Sequence, residues 1–241
     1  MFRARGYPVG HPLAIERVGL VMELVEGLGW LAPDLYAGCP TATEAELARF
    51  HDPAYIAAVR RAQEAKGVAL ADRERYRLGT LENPYFATMY ERAATACGGS
   101  IAAARAVAGG GIAFNPAGGT HHARRDAASG FCYFNDPVLA IATLLDLGLA
   151  PVFYADIDGH HGDGVQDAFA GDPRVMTVSV HEAGRWPQIP GSMTGALDDR
   201  GGGNARNLPV PAGFNDTEMD FVIEHAFVGL AERLAPEAVV V

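Results

Sequence analysis

The chain has 241 residues, of which 49% are hydrophobic and 20% are charged, and its formal net charge is −10. This composition supplies enough apolar side chains for a sizeable core and excludes an intrinsically disordered protein. The acidic balance and the lack of clustered Lys and Arg argue against direct binding of nucleic acid, which needs basic side chains to displace counterions from phosphates.

The sequence lacks the features of a secreted or membrane protein. Its first six residues, MFRARG, contain no apolar core of a signal peptide. No uncharged apolar stretch reaches the roughly 18 residues that a membrane span needs. The three cysteines have no paired spacing, which favours reduced thiols over a disulfide framework. We therefore expect a cytoplasmic protein that does not contact membranes.

Helical patterns and short apolar runs alternate along the chain from Pro84 onward. The start signals are a capping box at Thr43 and Glu46, and N-caps at Asp136 and Asp216. The helices are predicted at about 13–28, 43–50, 53–66, 84–108, 137–147, 164–170 and 217–234. The strands are predicted at 112–114, 151–155, 175–180, 208–210 and 238–241. Because these strands rarely alternate with polar residues, we predict an α/β fold with a parallel sheet covered by helices.

The segment from Asp156 to His160 is the most informative for chemistry. Asp156, Asp158 and His160 alternate at the end of a predicted strand, so in an extended chain they point to one side. Ligands of open parallel sheets bind beyond the carboxyl ends of the strands. Two carboxylates and an imidazole that converge there need a cation between them, and this donor set suits Zn²⁺, Fe²⁺ or Co²⁺.

Two other interpretations of this segment remain open. A calcium loop of the EF-hand type fits poorly, because His160 and His161 fill its fifth and sixth places and Asp167 fills the twelfth, where Glu is needed. A solvated acidic turn without any ligand is the other alternative.

A pair of histidines, His121 and His122, follows another predicted strand. Paired histidines serve as metal ligands, as acid or base catalysts, or as ordinary polar loop residues. Adjacent side chains of an extended chain point apart, so two bonds to the same metal are not expected. Asp156 and Asp163 could each orient one imidazole, as carboxylates do for catalytic histidines.

A glycine and three aromatic residues occupy residues 129–136, SGFCYFND. They could line a narrow apolar pocket, or they could simply pack a loop over the sheet. Cys132 could be a nucleophile, but no sequence feature indicates a lowered pKa of its thiol.

Taken together, these motifs resemble the histone deacetylase superfamily. The resemblance is carried by residues 118–136 (GGTHHARRDAASGFCYFND), 154–169 (YADIDGHHGDGVQDAF) and 175–181 (VMTVSVH). Residues 181–185 (HEAGR) are similar to the acetoin-utilisation branch, and residues 10–12 (GHP) and 50–55 (FHDPAY) match the family as well. The resemblance covers nearly the whole chain.

The resemblance implies a metal site and a catalytic histidine pair. Asp158 and His160 would be metal ligands. His122 would be the general base for the attacking water, and His121 would be its protonated neighbour. The resemblance also implies that Asp156 orients His121 and that Asp163 orients His122. Oxygen atoms of Asp156, Asp158, His160 and Ser179 are similar to the family's site for a monovalent cation, K⁺ or Na⁺.

The resemblance further implies a tunnel for an acetyl-lysine side chain, lined by Gly130 and Phe131. Two positions at its rim differ from the family. Glu82 stands where the family usually has an Asp that grips the substrate backbone, and Ile189 stands where an aromatic wall is usual. Trp186 is the candidate for supplying that aromatic ring.

The fold implied by the resemblance is a three-layer arginase/deacetylase-like domain that spans the whole chain. The implied function is metal-dependent hydrolysis of N-acetyl groups from lysine side chains of proteins, which releases acetate. An acetylpolyamine amidohydrolase, acting on small acetylated amines, is one alternative. An inactive homologue that only binds acyl groups or partners is the other.

The family's second metal-binding Asp and a late Tyr follow a strand that matches residues 236–241, and its first strand precedes residues 10–12. We therefore expect the 241 residues to lack the last strands of the sheet and most of the first. We also expect them to be inactive when produced alone.

Overall fold

The computed structural model describes residues 7, 14, 17–189 and 193–241. The family-like residues 10–12 and the pair Pro190-Gly191 lie outside the described residues. The chain divides into two compact units between Ala140 and Ile141, and each unit has its own hydrophobic cluster. Whether the 241 residues act as one domain stays a prediction.

The first unit is helical. Its helices are α1 (Arg17–Gly27), α2 (Glu44–Leu47), α3 (Pro53–Glu64), α4 (Leu70–Tyr76), α5 (Met89–Ala106) and the beginning of α6 (Asp136–Asp146). The predicted capping box opens α2, because Thr43 accepts the N–H of Glu46 and the Glu46 carboxylate accepts the N–H of Thr43. Leu47, Tyr55 and Phe134 are fully buried in the core of this unit.

In the first unit one predicted strand was wrong and one helix was missed. Residues 112–114 form no strand, and the side chains of Ile112 and Phe114 are 100% and 76% exposed. The reason is that a strand needs a hydrogen-bonded partner, and none of the described strands pairs with this run. Helix α4 was missed, because only Tyr76 of its seven residues is buried and the apolar periodicity of a helix is therefore lacking.

The second unit contains a parallel sheet of four strands, which confirms the predicted sheet. The strands are β1 (Val152–Asp156), β2 (Val175–Glu182), β3 (Ala205–Val210) and β4 (Ala238–Val240). Their order is β3-β2-β1-β4, and every neighbouring pair is parallel. All five residues of β1 are buried, as expected for a strand inside a parallel sheet.

The helices of the second unit connect these strands. They are α7 (Asp163–Ala168), α8 (Asp216–Val222), a π-helical stretch (Ile223–Val228) and α9 (Gly229–Leu234). Asn215 caps α8 rather than the predicted Asp216, because its side chain accepts the N–H groups of Thr217 and Glu218. None of the helices in the described ranges is long and apolar enough to cross a membrane.

Candidate active site

The carboxylate of Asp156, at the carboxyl end of β1, is buried and held by neighbouring groups. The Tyr154 hydroxyl donates to Asp156 Oδ2 at 2.7 Å, and the Asp158 N–H donates to Asp156 Oδ1 at 3.1 Å. A Cβ atom at Gly162 would lie 2.1 Å from Asp156 Oδ2. Only glycine therefore leaves room for this carboxylate.

Asp158 and His160 lie together just beyond β1. Asp158 Oδ1 is 2.8 Å from His160 Nδ1 and accepts the His160 N–H at 2.8 Å. Their side chains are 52% and 41% exposed, so both remain accessible from solvent. The structure thus brings together the two predicted metal ligands, whereas the Asp156 carboxylate is directed into the protein interior.

This pair fits part of a zinc site. Atoms that bind one Zn²⁺ at about 2.0–2.2 Å cannot be more than about 4.4 Å apart, and the two facing atoms satisfy this limit. One carboxylate oxygen and one imidazole nitrogen also form a donor set that zinc accepts. Over the residues that the structure describes, no group of three or more His, Cys, Asp or Glu could hold a metal ion.

The turn after β2 flanks the loop of Asp158 and His160. The Glu182 N–H donates to Gly159 O at 3.1 Å, which ties the two segments together. The ring centroid of Trp186 lies 6.1 Å from that of His160, in an edge-on arrangement. Ile189 is 65% exposed on the same turn. An indole ring is therefore placed beside a predicted ligand.

Sequence reasoning gave no role to His161, which is buried in a polar network of the second unit. Its Nε2 lies 3.2 Å from Gln166 Oε1, and its ring lies 4.8 Å from that of His181. His181 also contacts the Ser179 hydroxyl at 2.9 Å. Burial, followed by the proximity of His161, lowers the pKa of His181 to about 4. Local spacing cannot reveal such a network, because its members come from separate strands and helices.

Asp163 is the first residue of α7 and is 1% exposed. Its Oδ1 accepts the N–H of Gly164 at 2.8 Å. A carboxylate at the amino end of a helix is favoured by the unpaired N–H groups there.

His121 and His122 belong to the first unit and are both buried, with ring centroids 3.9 Å apart. The main chain around them is held by Asn135 and Asp136. Asn135 Nδ2 donates to His121 O at 2.9 Å and to Ala123 O at 3.0 Å. The two hydrogens of this amide are thus used to fix the backbone of the histidine pair.

Asp136 holds the residues that immediately precede the histidines. Its Oδ1 accepts the Thr120 N–H at 2.7 Å, and its Oδ2 accepts the Gly119 N–H at 3.2 Å and the Ser100 hydroxyl at 2.5 Å. Burial raises the pKa of Asp136, and the hydrogen bonds from Ser100, Thr120 and Gly119 oppose the rise. The sequence predicted Asp136 as the cap of α6, which was wrong: Asp136 is the first residue of that helix, and Asn135 Oδ1 accepts the Val138 N–H. The anchoring role of Asp136 was missed.

His51 supports the same segment from α3's amino end. Its Nε2 accepts the Asn135 N–H at 2.9 Å, so its proton resides on Nδ1, which faces Arg125 O at 3.3 Å. Burial lowers the pKa of His51 from 6.5 to about 4, although hydrogen bonds to the Arg124 and Arg125 backbone oppose this effect. The ring is therefore neutral at pH 7.

We expect the protein to lose stability as the pH falls from about 6.5 to about 4. In that range the unfolded chain binds a proton at His51 and the native chain does not, so acidification favours unfolding. The loss is of the order of 3 kcal/mol for this residue. Urea unfolding at several pH values measures it.

His51→Asn should remove a large part of this pH dependence, while the part due to His181 remains. His225→Ala, a change at an exposed histidine, should leave the dependence as it is. An equal dependence in wild type and His51→Asn would contradict the assignment.

The turn at Gly130 and Phe131 is also in the first unit. Ser129 and Cys132 exchange two backbone hydrogen bonds, of 3.1 and 2.8 Å, across these two residues. The Glu82 carboxylate accepts the Gly130 N–H at 2.6 Å. The roles of Gly130, Phe131 and Glu82 in binding substrate stay predictions.

A family model, curated relatives and a solved structure all relate this chain to histone deacetylases. The family model described as "Histone deacetylase domain" matches residues 11–241. The acetoin utilization protein AcuC of Bacillus subtilis is 36% identical over 95% of this chain, and histone deacetylase RPD3 of Saccharomyces cerevisiae is 36% identical over 97%. A solved structure of a histone deacetylase homologue from Aquifex aeolicus superposes with a TM-score of 0.90, at 34% identity over 99% of this chain.

These relatives are longer than this chain, which spans 60% of AcuC, 54% of RPD3 and 64% of the Aquifex aeolicus chain. The structural match confirms the predicted arginase/deacetylase-like α/β fold. The extent of the family match settles the family: the chain belongs to the histone deacetylase family.

Proposed function

We propose that the protein containing this chain is a metal-dependent amide hydrolase that removes acetyl groups from lysine side chains and releases acetate. The observation that carries the proposal is the pairing of Asp158 Oδ1 with His160 Nδ1, 2.8 Å apart, just beyond the carboxyl end of a central parallel strand. Deacetylases of this family are typically metal-dependent, which supports a metal role for the pair.

Asp158 and His160 would hold the ion, with Zn²⁺ as the first candidate and Fe²⁺ or Co²⁺ as alternatives. When bound, the ion acts as a Lewis acid toward the acyl carbonyl. A monovalent cation, K⁺ or Na⁺, would be bound by oxygen atoms of Asp156, Asp158, His160 and Ser179.

His122 would act as the general base. It takes a proton from the attacking water as the new C–O bond forms, and a proton is delivered to the amine as the C–N bond breaks. Acetate and a free amine result. His121 would be the protonated neighbour. The two ring centroids are 3.9 Å apart, so the charge on His121 would act on the His122 ring. Asp156 and Asp163 are proposed as carboxylates that orient imidazoles.

The proposed substrate is an acetylated lysine of a protein, with Gly130 and Phe131 lining the path of its aliphatic chain. Relatives named histone deacetylase support this substrate, and the similarity to an acetoin utilization protein keeps small acetylated amines as the alternative.

Acetate release tests the proposal. The zinc-loaded protein that contains this chain, rather than the 241 residues produced alone, should release acetate from an acetyl-lysine peptide faster than from acetylated spermidine. Asp158→Ala should abolish release from both, because a ligand of the ion is lost. The opposite preference would identify an acetylpolyamine amidohydrolase. No release from either compound would favour a homologue that only binds acyl groups.

A further inference from the structure

The Gly130-Phe131 turn holds an aromatic residue in a conformation that large side chains avoid. The backbone φ is 54° at Gly130 and 68° at Phe131, both in the left-handed region. Two-residue turns of this kind favour Asn-Gly or Gly-Gly, because only small or special residues adopt positive φ without strain. A phenylalanine in the second place is therefore held there by its surroundings.

Three side chains form hydrogen bonds with the main chain of Gly130 and Phe131. Glu82 Oε1 accepts the Gly130 N–H at 2.6 Å, and Asn83 Oδ1 accepts the Phe131 N–H at 3.0 Å. The Tyr7 hydroxyl donates to Phe131 O at 3.2 Å. Both N–H groups of the dipeptide and the carbonyl of Phe131 thus have a side-chain partner.

Asn83 and Tyr7, which bond to Phe131, are held in place by their own contacts. The Asn83 N–H donates to the Thr80 hydroxyl at 2.9 Å, and the Tyr7 ring lies 4.6 Å from that of Phe86. Burial raises the pKa of Tyr7 to about 12, so its hydroxyl keeps the proton that it donates.

The side chain of Asn83 lowers the stability of the fold, because one of its polar atoms is buried without a partner among the described residues. It is fully buried, and its Nδ2 has no hydrogen-bond partner among the described residues. A buried donor without a partner is unfavourable, and an apolar residue would avoid it. The acceptor Oδ1, which holds Phe131, is the part of the side chain that the structure uses.

We propose that Glu82 and Asn83 are positioning residues of the deacetylation, which act through Phe131 by fixing its ring as a wall for the aliphatic chain of the acylated amine. This inference rests on the proposed function. It differs from the role that the family resemblance implies for Glu82, in which the carboxylate binds the substrate directly.

The test is a double-mutant cycle measured as kcat/KM for an acetyl-lysine peptide on the zinc-loaded native protein. Glu82→Ala and Phe131→Ala should each lower kcat/KM by about 10- to 100-fold, chiefly through KM. The double variant should be no worse than Phe131→Ala, because the first residue acts through the second. Glu82→Gln keeps an acceptor oxygen and should restore kcat/KM to within a few-fold of wild type.

A direct contact of Glu82 with substrate predicts the opposite pattern. The losses of Glu82→Ala and Phe131→Ala would then add in the double variant, and that result would overturn the proposal.

Thermal unfolding tests the strained turn without any activity. Phe131→Gly should melt at a higher temperature than Phe131→Ala, because glycine tolerates a positive φ that alanine does not. Equal melting temperatures of the two variants would show that the turn is not strained, and the inference would lose its basis. If the wild-type protein releases no acetate, the proposed function is wrong, and so is this role of Glu82. The melting temperatures of Phe131→Gly and Phe131→Ala would still show whether the turn is strained.

Discussion

Replacing His122 with alanine should lower turnover by about 10²–10⁴-fold and leave the metal content nearly unchanged. The proposed loss is that of a general base, whose contribution is typically of this size, and no metal ligand is removed. The measurements are the rate of acetate release from an acetyl-lysine peptide and the zinc content by atomic absorption, both on the native protein.

Two other histidines provide matched controls for this prediction. His160→Ala should lower the metal content, because His160 is a proposed ligand. His225→Ala should change neither quantity, because His225 is exposed and its ring contacts Phe221. If His122→Ala loses the metal, or if its rate stays within a few-fold of wild type, the assigned roles of the histidines are wrong.

The pairing of Asp158 with His160 was predictable because it depends on short-range geometry. The apolar run before them marked the end of β1, and the two residues meet in the bend that follows it, where Asp158 Oδ1 accepts the His160 N–H. The expectation that Asp156 points to the same side was wrong, because its carboxylate is buried and accepts the Tyr154 hydroxyl. The parallel sheet was predictable for a similar reason, since strands buried on both faces leave continuous apolar runs.

What the sequence could not show depends on contacts between distant segments. Residues 112–114 have the residue types of a strand, but the type of a residue does not reveal whether a partner strand is present. The pair Asn135-Asp136 has the appearance of a helix start, and it does begin α6. Its larger role depends on Gly119 to Ala123, which lie 12 or more residues away and approach it only in the folded chain.

Replacing Asn135 with alanine should lower the free energy of unfolding by about 3–7 kcal/mol and reduce turnover as well. Two buried carbonyl groups, His121 O and Ala123 O, would lose their donor, and each unsatisfied group typically costs about 1–3 kcal/mol. The Val138 N–H would lose its cap on Asn135 Oδ1, for about 1 kcal/mol more. Chemical denaturation and acetate release measure the two effects.

Asn215→Ala separates the anchoring of the histidine pair from the capping of a helix. Asn215 caps α8 from an exposed position, so this change removes a cap and leaves no buried carbonyl unpaired. The excess destabilisation of Asn135→Ala over Asn215→Ala therefore measures the two bonds to the backbone of the histidine pair. Asn135→Asp keeps the cap oxygen and directs a carboxylate oxygen at the same two carbonyls, so it should be as damaging as alanine. If Asn135→Ala costs no more than Asn215→Ala, Asn135 is a cap and does not anchor the backbone of the histidine pair.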